Sequence, residues 1–73
     1  MDNKLTIIYE PAEEGGFTAY IAEVPGAISE GETIEEAREM VMDALHELTM
    51  HRREEALRGK HVGAVVESFA AAF

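Results

Sequence analysis

Glu14-Gly15-Gly16-Phe17-Thr18-Ala19-Tyr20-Ile21-Ala22-Glu23-Val24-Pro25-Gly26-Ala27-Ile28-Ser29-Glu30-Gly31-Glu32-Thr33-Ile34-Glu35-Glu36-Ala37 decides the fold of this chain. Phe17 to Val24 alternates aromatic, β-branched and small residues, which suits a strand. Pro25-Gly26 fits the two central positions of a type II turn, because Pro presets φ and Gly accepts the positive φ that follows. Ala27 to Glu30 reads as a short further strand, and Gly31 frees the backbone to leave the sheet. Thr33-Ile34-Glu35-Glu36 matches a capping box, in which the Thr hydroxyl and the Glu36 carboxylate satisfy exposed backbone N–H groups at a helix start.

Working outward, Pro11 to Gly16 combines Pro, acids and two glycines and reads as a hairpin loop. Leu5 to Glu10 before it is a β-branched and aromatic strand. On the other side, Ile34, Ala37, Val41, Ala44, Leu45 and Leu48 recur at helical spacing and form one apolar stripe. Met40 flanks that stripe as a core residue. The helix is expected to run to about Leu57, with Gly59 as its stop. Acids gather near its positive end and Arg52, Arg53 and Arg58 near its negative end. Val62 to Phe69 has the composition of a fourth strand, followed by a small apolar tail, Ala70 to Phe73. The predicted order is β-β-β-α-β. The first three strands form an antiparallel meander, and the crossover rule sets the fourth parallel to the first and beside it. The expected fold is an α+β two-layer sandwich spanning residues 1–73 as a single domain.

One helix covers one face of such a sheet. Yet Leu5, Ile7 and Tyr9 stand opposite Ile8, and Phe17, Ala19 and Ile21 stand opposite Tyr20, Ala22 and Val24. Val65 and Phe69 stand opposite Val62, Ala64 and Val66. A solvated face alternates more cleanly, so a second chain is expected to cover the other face or an edge. Size points the same way. A chain of 73 residues buries only roughly 60% of its unfolded surface, and small domains draw on disulfides, metals or self-association. With no cysteine, disulfides and thiolate metal sites are excluded, which leaves self-association open.

The chain carries 15 acidic and 6 basic residues, a net charge of −9. A field of that sign repels phosphate backbones and anionic lipid heads and favours a basic partner. No direct DNA binding is expected. Met1-Asp2-Asn3-Lys4 does not open a signal peptide, and the apolar runs are far shorter than a bilayer span requires. The expected location is cytoplasmic, with no membrane contact.

No constellation of catalytic residues stands out. Glu10, Glu13, Glu14, Glu23 and Glu30 read as solvated charge rather than as the converging carboxylates of a two-metal site. His46 and His51 are five residues apart, on different helix faces, unlike the i, i+4 pair of a helical metal site. No serine sits in a nucleophile motif. No catalytic, metal-binding or cofactor-binding residue is assigned, and no cofactor is expected. Met42 and Met50 point away from the apolar stripe, where methionine suits an adaptable binding surface. The candidate partner-binding residues are Tyr20, Glu23, Met42, Met50 and Phe69.

Taken together, Glu14-Gly15-Gly16-Phe17, Pro25-Gly26, Ser29-Glu30-Gly31-Glu32-Thr33 and Glu35-Glu36-Ala37 resemble the N-terminal domain of the HicB-like antitoxin family, the UPF0150-like group. The resemblance covers about Leu5 to Leu48. It implies a partial RNase H-like fold and a domain that binds and blocks a HicA-type toxin, a small basic mRNA-cleaving ribonuclease, by occlusion without catalysis. Many family antitoxins add a C-terminal DNA-binding domain. Gly59 to Phe73 is too short and too apolar for one, so promoter binding is not carried over. The resemblance implies an antitoxin-type domain, and the apolar residues on both sheet faces add the expectation that it binds itself as a homodimer or higher oligomer. The alternatives are a stand-alone homo-oligomeric scaffold or small-ligand binder without a toxin, and, more distantly, a remnant metal-dependent nuclease.

Overall fold

The computed structural model describes residues 4–70. Three strands precede one helix, in the order β1 (Ile7–Pro11), β2 (Phe17–Ile21), β3 (Ile28–Gly31) and α1 (Ile34–Gly59). The strands form one antiparallel sheet in the order β1-β2-β3. The expected α+β meander followed by a helix is what the chain adopts.

The turns follow from their residues. The Gly15 N–H donates to the Ala12 carbonyl at 3.1 Å, and the Ala12 N–H donates to the Gly16 carbonyl at 3.0 Å, closing the β1–β2 loop. Between β2 and β3, the Ala27 N–H donates to the Val24 carbonyl at 3.1 Å. Gly26 at φ 96° sits in the second central position, as a type II turn requires. A second turn ends β2 at Ile21 rather than at Val24, because the Val24 N–H folds back onto the Ile21 carbonyl at 3.1 Å.

Register fixes the two faces. Ile7↔Ile21, Tyr9↔Ala19 and Pro11↔Phe17 pair across β1 and β2, and Ala19↔Ser29 and Phe17↔Gly31 pair across β2 and β3. This set faces the helix. Ala19, Ile21, Ala27, Ala37 and Val41 are buried, with Leu5, Ile7, Tyr9, Phe17, Val24, Leu45 and Leu48 packed against them. The core is small, and Val41 is its largest fully buried side chain.

Thr33 caps α1, and its hydroxyl accepts the Glu36 N–H at 3.1 Å. The Glu36 carboxylate reaches back to the Glu32 N–H at 3.1 Å, one residue earlier than a strict capping box places it. Gly31 does more than release the chain from the sheet. A Cβ there would lie 2.5 Å from the Ala37 backbone nitrogen and 2.9 Å from its Cα, so the helix starts directly against β3.

Two expectations are corrected. Met40 is 45% exposed, since the buried stripe narrows to Ala37 and Val41 and the neighbouring face turns to solvent. The fourth strand does not form among the described residues. The segment opens with a turn in which the Ala64 N–H donates to the His61 carbonyl at 3.1 Å and Gly63 takes φ 90°. Val65 and Phe69 then lie 95% and 83% exposed, away from the sheet. The end of the expected tail, Ala71–Phe73, lies outside the described residues.

Candidate partner-binding surface

The sheet face opposite the helix carries Thr6, Ile8 and Glu10 from the first strand region. Thr18, Tyr20 and Ala22 come from the second, and Ile28 and Glu30 from the third. Register aligns Ile8↔Tyr20↔Ile28 in one row across all three strands, and Glu10↔Thr18↔Glu30 in the next. An apolar row therefore runs beside an acidic one. Ile8 and Tyr20 are half-buried by their neighbours, and Ile28 is exposed. No element of the described residues covers this face.

The acidic row continues around the sheet end. Glu14, Glu30, Glu32 and Glu36 surround Phe17 and Gly31 in an open cleft of about 290 Å³. The β1–β2 loop, the exit of β3 and the helix start meet there, because Gly16 and Gly31 let the backbones close up. A Cβ on Gly16 would stand 2.6 Å from the Gly31 carbonyl oxygen. Among the described residues, no group of three or more His, Asp or Glu side chains is arranged to hold a metal ion. No helix among them is long and apolar enough to cross a membrane.

At the other end of the sheet, Glu23 is engaged internally. Its two carboxylate oxygens accept the Thr6 N–H and the Thr6 hydroxyl, each at 2.7 Å. These bonds, led by the one from the backbone N–H, hold the Glu23 carboxyl below the usual carboxylate range. Nearby, the Arg52 guanidinium donates to the Pro25 carbonyl at 3.3 Å, tying the helix to the β2–β3 turn. Leu5, Val24, Pro25, Leu45 and Thr49 line a mostly apolar groove of about 360 Å³ beside this contact, bordered by Glu23 and Arg52.

The five candidate residues occupy separate places. Tyr20 lies at the centre of the apolar row. Glu23 clips the chain at Thr6. Met42 and Met50 are 45% and 40% exposed on the helix, in the layer opposite Tyr20, and Phe69 stands out on the C-terminal segment. The structure adds Ile8 and Ile28 to Tyr20 and Glu10 and Glu30 to the acidic rim. The alternation of Ile8 and Tyr20 against their core neighbours marks this face in the sequence. The three-strand row depends on register, which the residues alone do not specify.

The chain is 38% identical over 68 residues to a UPF0150 protein of Synechocystis sp., covering 93% of this chain and 94% of the relative. It is 46% identical over 39 residues to the antitoxin HicB 1 of Photorhabdus laumondii, covering 53% of this chain and 25% of that relative. The chain thus spans about a quarter of the Photorhabdus antitoxin. No family model matches the chain. No solved structure matches it.

Proposed function

The chain belongs to the HicB-like UPF0150 family, and we propose that it acts as an antitoxin-type protein-binding domain for a small basic HicA-type toxin. The observation that carries this reading is the uncovered sheet face, where the Ile8–Tyr20–Ile28 row runs beside Glu10 and Glu30. Apolar residues at the centre of a contact supply affinity through burial, and a charged rim steers the partner. A net charge of −9 draws a basic protein and repels RNA and DNA. The toxin is neutralised by cover of its basic surface, with no reaction at the antitoxin side. The protein works in the cytoplasm, as one domain over residues 1–73, and associates with itself.

An affinity capture from the native host tests this reading, using tagged protein at low and moderate salt with mass spectrometry of what is bound. One small basic protein, released by salt and growth-inhibitory when expressed alone, is the expected result. Its toxicity must vanish on co-expression with this chain and return with Tyr20→Asp. Retained protection by Tyr20→Asp would move the contact off this face, and absence of any basic protein would remove the toxin.

A second reading has its own support. The relative that matches along nearly its whole length is named only as a UPF0150 protein, whereas the one named an antitoxin matches over a quarter of its length. A stand-alone homo-oligomeric scaffold or small-ligand binder without a toxin follows from that. In the capture experiment it returns only further copies of the chain.

A further inference from the structure

Ladder parity exposes a vacancy in the sheet. The Ala22 N–H donates to the Thr6 carbonyl at 2.9 Å, and the Ala12 N–H donates to Gly16. Both pairs share the β1–β2 register, so even-numbered residues of this strand bond towards β2. The N–H and C=O groups of Ile7 and Tyr9 therefore point to the outer edge. Pro11 falls in the same outward set, where its missing N–H removes no ladder bond. Beside this edge the helix side carries Leu5, Ile7 and Tyr9, and the other side carries Ile8 between Thr6 and Glu10. The helix packs chiefly over β3 and β2 and barely reaches β1.

The chain also holds a stretch of strand-forming composition outside the sheet. After the His61–Ala64 turn, Val65 and Phe69 flank Glu67 on one parity and Ala64 and Val66 precede Ser68 on the other, and Val65, Val66 and Phe69 are 95%, 56% and 83% exposed. Apolar residues on both parities suit a strand with neighbours on either side, and the β1 edge offers Leu5, Ile7 and Tyr9 to one parity and Ile8 to the other.

We propose that Ala64–Phe69 adds to the outer edge of β1 in a second copy of this chain, reciprocally, and completes the sheet in a symmetric dimer. It deepens the self-association in the functional reading and does not depend on a toxin. Area argues for a second copy. The accessible surface is 6163 Å², about 1,700 Å² above the ~4,450 Å² expected of a compact monomer of 8.0 kDa. A standard interface removes about 800 Å² per partner, so the excess is enough for one. The radius of gyration is 15.5 Å, against about 11 Å for a compact chain of this length. Within one chain the segment leaves its own β1 edge open, so the strand that fits the edge comes from a neighbour. Each such addition forms main-chain bonds to Ile7 and Tyr9 and places Val65 and Phe69 on one face with Val66 on the other.

Sedimentation equilibrium of the full chain tests this, alongside a variant ending at His61 and the double variant Val65→Asp, Phe69→Asp. The core residues all precede Leu48, so helix content by circular dichroism is expected to persist in both. The full chain is expected to be dimeric, and both variants to associate on the order of 100-fold more weakly. The Tyr9 amide is expected to be protected from hydrogen exchange in the full chain and to lose that protection in the truncated one. A monomeric full chain overturns the proposal. So does a dimer that survives both changes, or one in which the Tyr9 amide exchanges freely.

Discussion

Gly31 sits where a strand, a loop and a helix start converge, and its missing side chain is what lets them meet. A Cβ there would come within 2.5 Å of the Ala37 nitrogen, which is backbone and cannot swing aside. Gly31→Ala is therefore expected to cost about 1–3 kcal/mol, the range for overpacking a tight site. Urea unfolding would show a lower midpoint at an unchanged m-value. Glu23 is a different kind of anchor. Its carboxylate takes two bonds from Thr6 that its protonated form makes poorly, and its folded-state pKa is lowered. A lowered value contributes stability above the unfolded pKa, and that contribution is lost as pH falls through the folded one. Glu23→Gln is thus expected to be less stable than the parent at pH 7, with the difference closing in acid below about pH 4. Urea midpoints of the two proteins across that window check it. An equal gap at pH 7 and pH 3 would mean that the clip is not electrostatic.

Among the elements, the hairpins and the helix start were legible because each rests on local chemistry. Pro25-Gly26 can hardly do anything but turn, and Thr33 with Glu36 marks a helix start whatever surrounds it. Thr33→Ala removes the acceptor of the Glu36 N–H and is expected to cost about 1 kcal/mol, read as a lower thermal midpoint with the helix signal still present. The expected fourth strand is absent among the described residues for a related reason. Composition reports that Val65, Val66 and Phe69 suit a strand, but a strand exists only where an edge accepts it. The turn at Gly63 carries no signal as strong as Pro-Gly. Met40 is exposed rather than core because a stripe read from spacing does not say how deep the core is. With Ala37 and Val41 as the only buried helix residues, the second layer is thin and its flank stays wet. The candidate surface was half visible for the same reason. Tyr20 follows from alternation, but its alignment with Ile8 and Ile28 is a property of register. Glu23, an acid in a meander, gives no sign in sequence that Thr6 already occupies it.

At the scale of the molecule, the two proposed attractions, to a second copy and to a basic partner, differ in electrostatic character. Association of two protomers at −9 each works against like-charge repulsion, so it must rest on apolar burial and main-chain pairing. Capture of the proposed basic partner would work with the same field. Salt separates the two, because the screening length shrinks from about 10 Å at 0.1 M to about 3 Å at 1 M. Raising sodium chloride from roughly 0.05 to 0.5 M, about a threefold contraction of that length, is expected to tighten self-association and to loosen binding of the basic protein. Sedimentation equilibrium of the chain alone follows the first, and titration with the captured protein follows the second. Weakening of both by salt would assign the self-contact to charge pairing instead. The exposed Val65 and Phe69 would then be surface that no copy of the chain covers.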